Sequence, residues 1–574
     1  MANGFGSLYV GSAGLRSAQN ALNVVANNLA NIDTTGYVRQ QVVFADSPYN
    51  KFGIASVSNQ SYGLGVSIGD VVHARDQFLD RAYRTESGRQ AFYAANYDAT
   101  SEIETLLQES QGEAFGEAIN DLYEAFAEFA KDPSDAVIQN LVSQKASLFL
   151  SRAQGVYDGM KTYQSNLNVK ITDDVDTIND LGSKIHDLNI KIQRIEAGGV
   201  ETAMDLRDER DQYLDQLSGL ASITYEETFD GIVKVKLEGV DFVTESRNFE
   251  IGLKEDPATG FVTPYWQQLS DPSRNDYYEV FNVDNADPSK NTDIGAVKGL
   301  LLARGDEVAD YMDMAGLSSA AYDDTLADSA MMNSEAELDK LVNTIVTQVN
   351  DLLSPLKEYG GADVTSVDEN GRTVTITSTT KIFDEDAASL GSDKEIPSRE
   401  LFSRIGCERY NKVTLDDGTV LYVYNEENMK DSSKCYTLSS LQINQDVVED
   451  ASLIPHLTQN DSINYSLGED IYSLWEKSDY YLNPSDTSPC TLQQFYVKFV
   501  GELGTLGSVY KTTSESLATT RDTIESNRQA VIGVSSDEDL TNMIKYQNAY
   551  NASSRYMSVV AEMIDYLLSS LTSA

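Results

Sequence analysis

Two stretches with the same three-and-four spacing of apolar side chains lie at opposite ends of the chain. Near the start, Leu8, Gly11, Leu15, Ala18, Leu22, Val25, Leu29 and Ile32 share one helical stripe. Near the end, Met543, Tyr546, Tyr550, Ser553, Met557, Val560, Ile564, Leu567 and Leu571 do the same. A stripe this narrow is the seam of a coiled coil, although the spacing also suits an ordinary amphipathic helix on a globular core. Two such seams bracketing 574 residues predict that the ends pair with each other and with those of neighbouring copies. One seam on one helix needs partners, so both ends are expected to be loose in the free monomer and ordered on assembly.

Between the seams, long helical runs alternate with strand-like ones. Asp33-Thr34-Thr35-Gly36-Tyr37 reads as a turn, with Gly36 free to take a positive φ. Val38–Phe44 and Tyr62–Val72 read as strands. Helical spacing runs from Asp76 to Leu107, Ala114 to Ala130 and Ala136 to Ile195, with Asp132-Pro133-Ser134-Asp135 as break and cap. Met204–Leu217 is a further helix. Period-two alternation follows at Ile223–Tyr225 and Ile232–Val243, turned by Asp230-Gly231. Ile294–Leu353 is helical, 357–490 is strand and turn, and Thr491–Ile532 is helical again.

The fold class this predicts is α+β and multidomain: a long-helix bundle or coiled coil built from both termini, with mainly β domains inserted in the middle. The expected divisions are a terminal assembly helix (1–40), a helical rod domain (41–220), a β domain (221–293) and a helical return segment (294–356). An inserted, mainly β outer domain (357–490), a second rod segment (491–535) and a C-terminal assembly helix (536–574) complete the chain.

Charge narrows the function. With 43 basic against 90 acidic residues the net charge is −47, which disfavours nucleic acid and favours solubility. No apolar run is long enough to span a membrane, and the start of the chain lacks the basic and apolar regions of a cleaved signal peptide. Cys407, Cys435 and Cys490 are expected to be free thiols, although a Cys407–Cys435 bridge stays open. The helix at 204–217 is dense in Asp205, Arg207, Asp208, Glu209, Arg210 and Asp211, and reads as a solvated face whose ion pairs contribute little.

The first helix is unusual in the opposite sense: before Asp33 its single charged side chain is Arg16. Its polar residues are amides, and Asn20, Asn23, Asn27 and Asn31 form one stripe. Uncharged amides can be buried when hydrogen-bonded, whereas charges rarely can. The stripe is therefore expected to pack against neighbouring subunits in a dry, amide-bonded layer.

Catalytic chemistry finds little support. Gly65-Val66-Ser67-Ile68-Gly69 matches the nucleophile-elbow pattern, but His73 follows too closely, His186 falls among helical core positions and His456 lies in a polar loop. Asp284-Asn285-Ala286-Asp287 lacks the glycine and terminal glutamate of a calcium loop. No cofactor, metal site or enzymatic activity is expected.

The ends resemble bacterial flagellar axial proteins. Ala26-Asn27-Asn28-Leu29-Ala30-Asn31-Ile32-Asp33-Thr34-Thr35-Gly36-Tyr37 is similar to the signature shared by rod, hook and hook-associated proteins. So is Gly65-Val66 with Arg75-Asp76-Gln77-Phe78-Leu79. Within that group, Met204–Leu217, Gly299–Glu307, Leu338–Leu353 and Asp537–Tyr550 resemble the hook-associated protein 1 family; 357–490 resembles nothing nameable. The resemblance implies export through the flagellar secretion channel without a cleaved signal, and a ring of about eleven copies joining hook to filament. It implies as partners the hook protein, the second junction protein and an export chaperone on the C-terminal helix. Another axial protein, such as hook protein, the second junction protein or flagellin, is the nearest alternative. A junction protein with an added adhesin module at 357–490 is another.

Overall fold

The computed structural model describes residues 2–34, 36–47, 50–51, 61–63, 65–108, 115–198, 202–284, 286–369, 371–428 and 430–572. The chain opens with α1 (Ala2–Ala30) and four strands, β1 (Gln40–Asp46), β2 (Asn50–Lys51), β3 (Ser61–Tyr62) and β4 (Val66–His73). Four helices follow: α2 (Gln77–Gln108), α3 (Phe115–Lys131), α4 (Ala136–Glu196) and α5 (Met204–Leu220). Next come β5 (Ile223–Glu227), β6 (Val233–Leu237), β7 (Val240–Val243), β8 (Ile251–Glu255) and β9 (Val262–Trp266). The return is broken into α6 (Ala296–Arg304), α7 (Tyr311–Met314), α8 (Ser319–Thr325) and α9 (Ala330–Leu353). Strands β10 (Leu356–Glu358), β11 (Val364–Val367), β12 (Thr373–Ile376), β13 (Lys381–Phe383), β14 (Phe402–Arg404), β15 (Tyr410–Thr414), β16 (Val420–Tyr424) and β17 (Leu441–Ile443) precede α10 (Gln445–Glu449) and α11 (Tyr465–Ser473). The chain closes with α12 (Leu492–Ile532) and α13 (Ser536–Thr572). The architecture is α+β and multidomain, with small antiparallel sheets carried in the middle of a helical frame.

The 61-residue α4 is the spine. Asp135 caps it, accepting from Val137 N at 2.7 Å. Val175, Ile178, Leu181, Ile185, Leu188 and Ile192 line its buried face. Amides at intervals along α4 hold β6, β8 and β9 by reciprocal bonds to strand backbone. Asn189 donates to Val233 O and accepts from Val233 N; Asn179 does the same with Ile251. Asn168 donates to Gly260 O and accepts from Val262 N. A side-chain amide satisfies one donor and one acceptor at once, which suits the free side of a strand.

Helices α2 and α12 pack antiparallel along much of their length, and α6 crosses α2 closely. Gly299 makes that crossing: a Cβ there would lie 2.7 Å from Phe92 O and 3.1 Å from Phe92 Cα. Because the obstacle is backbone, Gly299→Val is expected to destabilise the body by roughly 1–3 kcal/mol or more, read as a lower denaturant midpoint at unchanged slope.

The segment 357–490 does not stand as one outer β domain. Strands β10, β13, β16 and β15 form a four-stranded sheet with its own small core of Ile376, Ile382, Val413 and Val423. Phe402, Tyr436, Leu441, Trp475 and Leu482 instead join the main core with α3, α4 and α9. Asn350 of α9 clasps this return, accepting from Leu401 N and Phe402 N and donating to Phe402 O. Deleting 357–490 would strip these side chains from the core, so the expected result is loss of the body's cooperative melt, not the neutral outcome of removing a spacer. The three cysteines are free.

Candidate assembly interface

Helices α1 and α13 lie side by side, antiparallel, and bring the two ends together. The N-terminal helix offers its smallest residues at the contact. A Cβ on Gly11 would lie 2.6 Å from Met557 Sδ, and one on Gly14 would lie 2.8 Å from Ser553 Oγ. Small residues let the helix axes approach closely, Gly11 lying against Met557 and Gly14 against Ser553.

The seam is only partly covered in one chain. Val25 is 4 % exposed and Val560 6 %. Leu8, Leu15, Leu22, Leu29, Met543, Tyr546, Met557 and Ile564 are half-buried, and Ile32, Tyr550 and Leu567 are exposed. The side chain of Leu571 lies outside the described residues. A second apolar set on α13, Tyr556, Val559, Met563 and Tyr566, faces outward at 43–75 % exposure. Burying these faces requires other chains.

The amide stripe points outward: Asn20, Asn23 and Asn27 are exposed and Asn31 half-buried. The buried amide is its neighbour Asn28, 1 % exposed. Asn28 accepts from Gln40 N at 3.0 Å and Tyr37 Oη at 2.9 Å and donates to Gln40 O at 3.0 Å. It thereby fixes the β1–β4 hairpin against α1, with Ser17 Oγ donating to Val66 O at 3.0 Å. Phe44 of the hairpin meets Tyr546 of α13 edge-on at 6.0 Å.

Where the terminal pair joins the body, a buried network of opposite charges holds four segments. The Met204–Leu217 helix, expected to be a solvated face, supplies its core through Asp208, 5 % exposed, and Asp211 and Asp215. Arg210, 2 % exposed, is buried nearby against Asn189, Gly231 and Glu227. Arg528 of α12 donates to Asp80 of α2 at 2.6 Å and to Asp215 of α5 at 2.7 Å. Arg84 reaches Asp215 at 2.6 Å and Asp211 at 3.1 Å. Arg75 reaches Asp211 at 2.5 Å and Asp208 at 3.4 Å. Asp208 also accepts from Val38 N at 3.2 Å and lies 2.9 Å from His73 Nδ1. Arg39 completes the joint, its N–H bonded to Ile532 O at 2.8 Å and its guanidinium to Glu538 at 2.6 Å.

Burial alone would lower the Arg528 and Arg84 pKa values, but Asp215 with Asp80 and Asp211 outweighs it and raises both. Burial pushes Asp80 up against the pull of Arg528. A clue lay in the spacing. Asp208, Asp211 and Asp215 step by three and four along one face of α5, and Asp80 and Arg84 step by four on α2.

Residues 100–356 match the family model for the flagellar hook-associated protein FlgK helical domain. Residues 8–37 match that of the flagella basal body rod protein, and residues 530–570 that of the flagellar basal body rod FlgEFG protein C-terminal region. Flagellar hook-associated protein 1 of Bacillus subtilis is 22 % identical over 100 % of this chain and 99 % of its own length. Its Salmonella typhimurium counterpart is 22 % identical over 97 % and 98 %. The solved flagellar hook junction protein FlgK from Burkholderia pseudomallei is 13 % identical, with TM-score 0.49, over 79 % of this chain and 100 % of that one. A body of this kind between two rod-type ends defines an axial protein of the bacterial flagellum. The chain is similar over nearly its whole length to flagellar hook-associated protein 1, and its residues 100–356 match the helical domain of that FlgK family. No described helix is long and apolar enough to cross a membrane.

Proposed function

We propose that this chain joins hook to filament by self-assembly through α1 and α13. The observation that carries the reading is the half-covered seam: the helices pair within one chain yet leave Leu22, Ile564, Tyr550 and Leu567 incompletely buried. Copies packed head to tail make a heterologous interface that closes as a ring, about eleven copies in this family, or climbs as a helix. The exposed Asn20, Asn23 and Asn27 fit a hydrogen-bonded contact with adjoining subunits, because amides tolerate burial when paired. The seams also fit docking onto hook protein on one side and the second junction protein on the other. Export through the flagellar channel without a cleaved signal, with a chaperone holding the apolar α13, belongs to the same reading.

Electron microscopy of a null mutant tests it. The expected picture is hooks without filaments, with filament protein lost to the medium; intact filaments would overturn the assignment. A chain lacking 540–574 should fail to polymerise while the body keeps its cooperative melt, because among the described residues of α13 past Asp539 a single hydrophobic side chain, Val560, is buried.

A further inference from the structure

Helix α9 is buried on nearly every side, and among the described residues three carboxyl groups in its first half form no ion pair. They are Glu335, Glu337 and Asp339, each 1 % exposed or less. Each holds a different part of the layer that covers α9. Glu335 Oε2 accepts from Ala309 N at 3.0 Å, while its Oε1 has no partner. Asp339 accepts from Tyr311 N at 3.0 Å and from Leu438 N at 2.6 Å. Glu337 accepts from Asn483 Nδ2 at 2.8 Å and Tyr322 Oη at 3.2 Å.

The surroundings are mostly acidic or neutral. Glu335 faces Lys161 of α4 and Asp313 of α7. Glu337 faces Glu502 of α12, together with Asn333, Asn483 and Tyr322. Asp339 faces Asp310 and Glu427, and the Tyr157 phenol of α4 sits near Asp339, Glu335 and Asp310. Lys340, beside Asp339, is half-buried, and that desolvation lowers its pKa. A cavity of about 380 Å³, lined by Tyr322, Asn333, Glu337, Asn483 and Glu502, gives water a route to Glu337.

We propose that Glu335, Glu337 and Asp339 fasten the covering segments 305–327, 436–441 and 483–487 onto α9 in their protonated form and release them on ionising. A buried anion without an ion-pair partner is strongly disfavoured, and at Glu335 the oxygen with no donor is where the proton belongs. Burial accordingly pushes Glu335 and Glu337 up to about 8 and Asp339 to about 7. A carboxyl whose folded pKa is raised takes up a proton on folding. Its stabilising effect is whole below the unfolded value, about 4, and is lost as pH rises through the folded value. The layer is therefore firmest near about pH 4 and loosens progressively up to about pH 8.

Hydrogen exchange of the full chain at about pH 6 and about pH 9, corrected for intrinsic rates, tests the proposal against the triple variant Glu335→Gln, Glu337→Gln, Asp339→Asn. Wild-type peptides covering 305–314 and 436–441 should lose protection by about tenfold or more, and those of the variant should not. An identical response in both proteins, or none in wild type, would overturn it. Infrared spectra of wild type give a readout independent of whether the variant folds. A protonated-carboxyl C=O band present at about pH 6 should vanish by about pH 9, and its absence at the lower pH would equally refute the proposal.

Discussion

Arg528→Met is expected to lower the stability of the body by roughly 3–5 kcal/mol. Its guanidinium is 8 % exposed and bridges Asp80 of α2 to Asp215 of α5, which are themselves 6 % and 20 % exposed. Methionine fills part of the volume but leaves Asp80 facing Arg75 at 3.5 Å as its nearest cation, and Asp215 dependent on Arg84. An uncompensated buried carboxylate is the source of the cost, so Arg528→Met combined with Asp80→Asn should recover part of it. Denaturant titration reads both. The loss should also appear as easier proteolysis at 533–535, the short link to α13, because Arg528 anchors the last turn of α12. A change within about 0.5 kcal/mol would mean that the network behaves as a solvated face after all.

Leu22→Asp and Ile564→Asp should abolish incorporation while leaving the body's melt unchanged. Each position is half-buried in one chain and would be fully buried between chains. An ionised carboxylate there costs several kcal/mol without a partner, and about 1.4 kcal/mol is a tenfold loss of affinity. If the copies close as proposed, each makes the contact, so the penalty would recur from copy to copy and assembly would fail outright. Under the proposed route the chain is exported before it assembles, so the variant chains should still reach the medium. Normal filament growth in either variant would contradict the seam assignment.

The terminal helices and the long α4 were legible because helical periodicity is local: each stripe repeats within a few residues and needs no distant partner. Charge pairing is not local. Arg75, Arg84, Asp208, Asp215 and Arg528 span most of the chain, and each taken singly looks like a surface ion; nothing short of the tertiary fold shows that α2, α5 and α12 converge. The same limit hid the division of 357–490. Its alternating strands were visible, but Phe402 and Trp475 give no local sign that they fill the core beside α4. Asn28 shows the limit at one residue's scale. It stands one position off the Asn20–Asn31 stripe, which turns it from the outer face towards Gln40.

Hydrogen exchange on the free chain and on the assembled junction tests the central claim most directly. Residues 2–30 and 536–572 should exchange fast in the free chain and become protected on assembly, while α2, α4 and α12 stay protected in both. Equal protection of the two terminal helices in both states would contradict it.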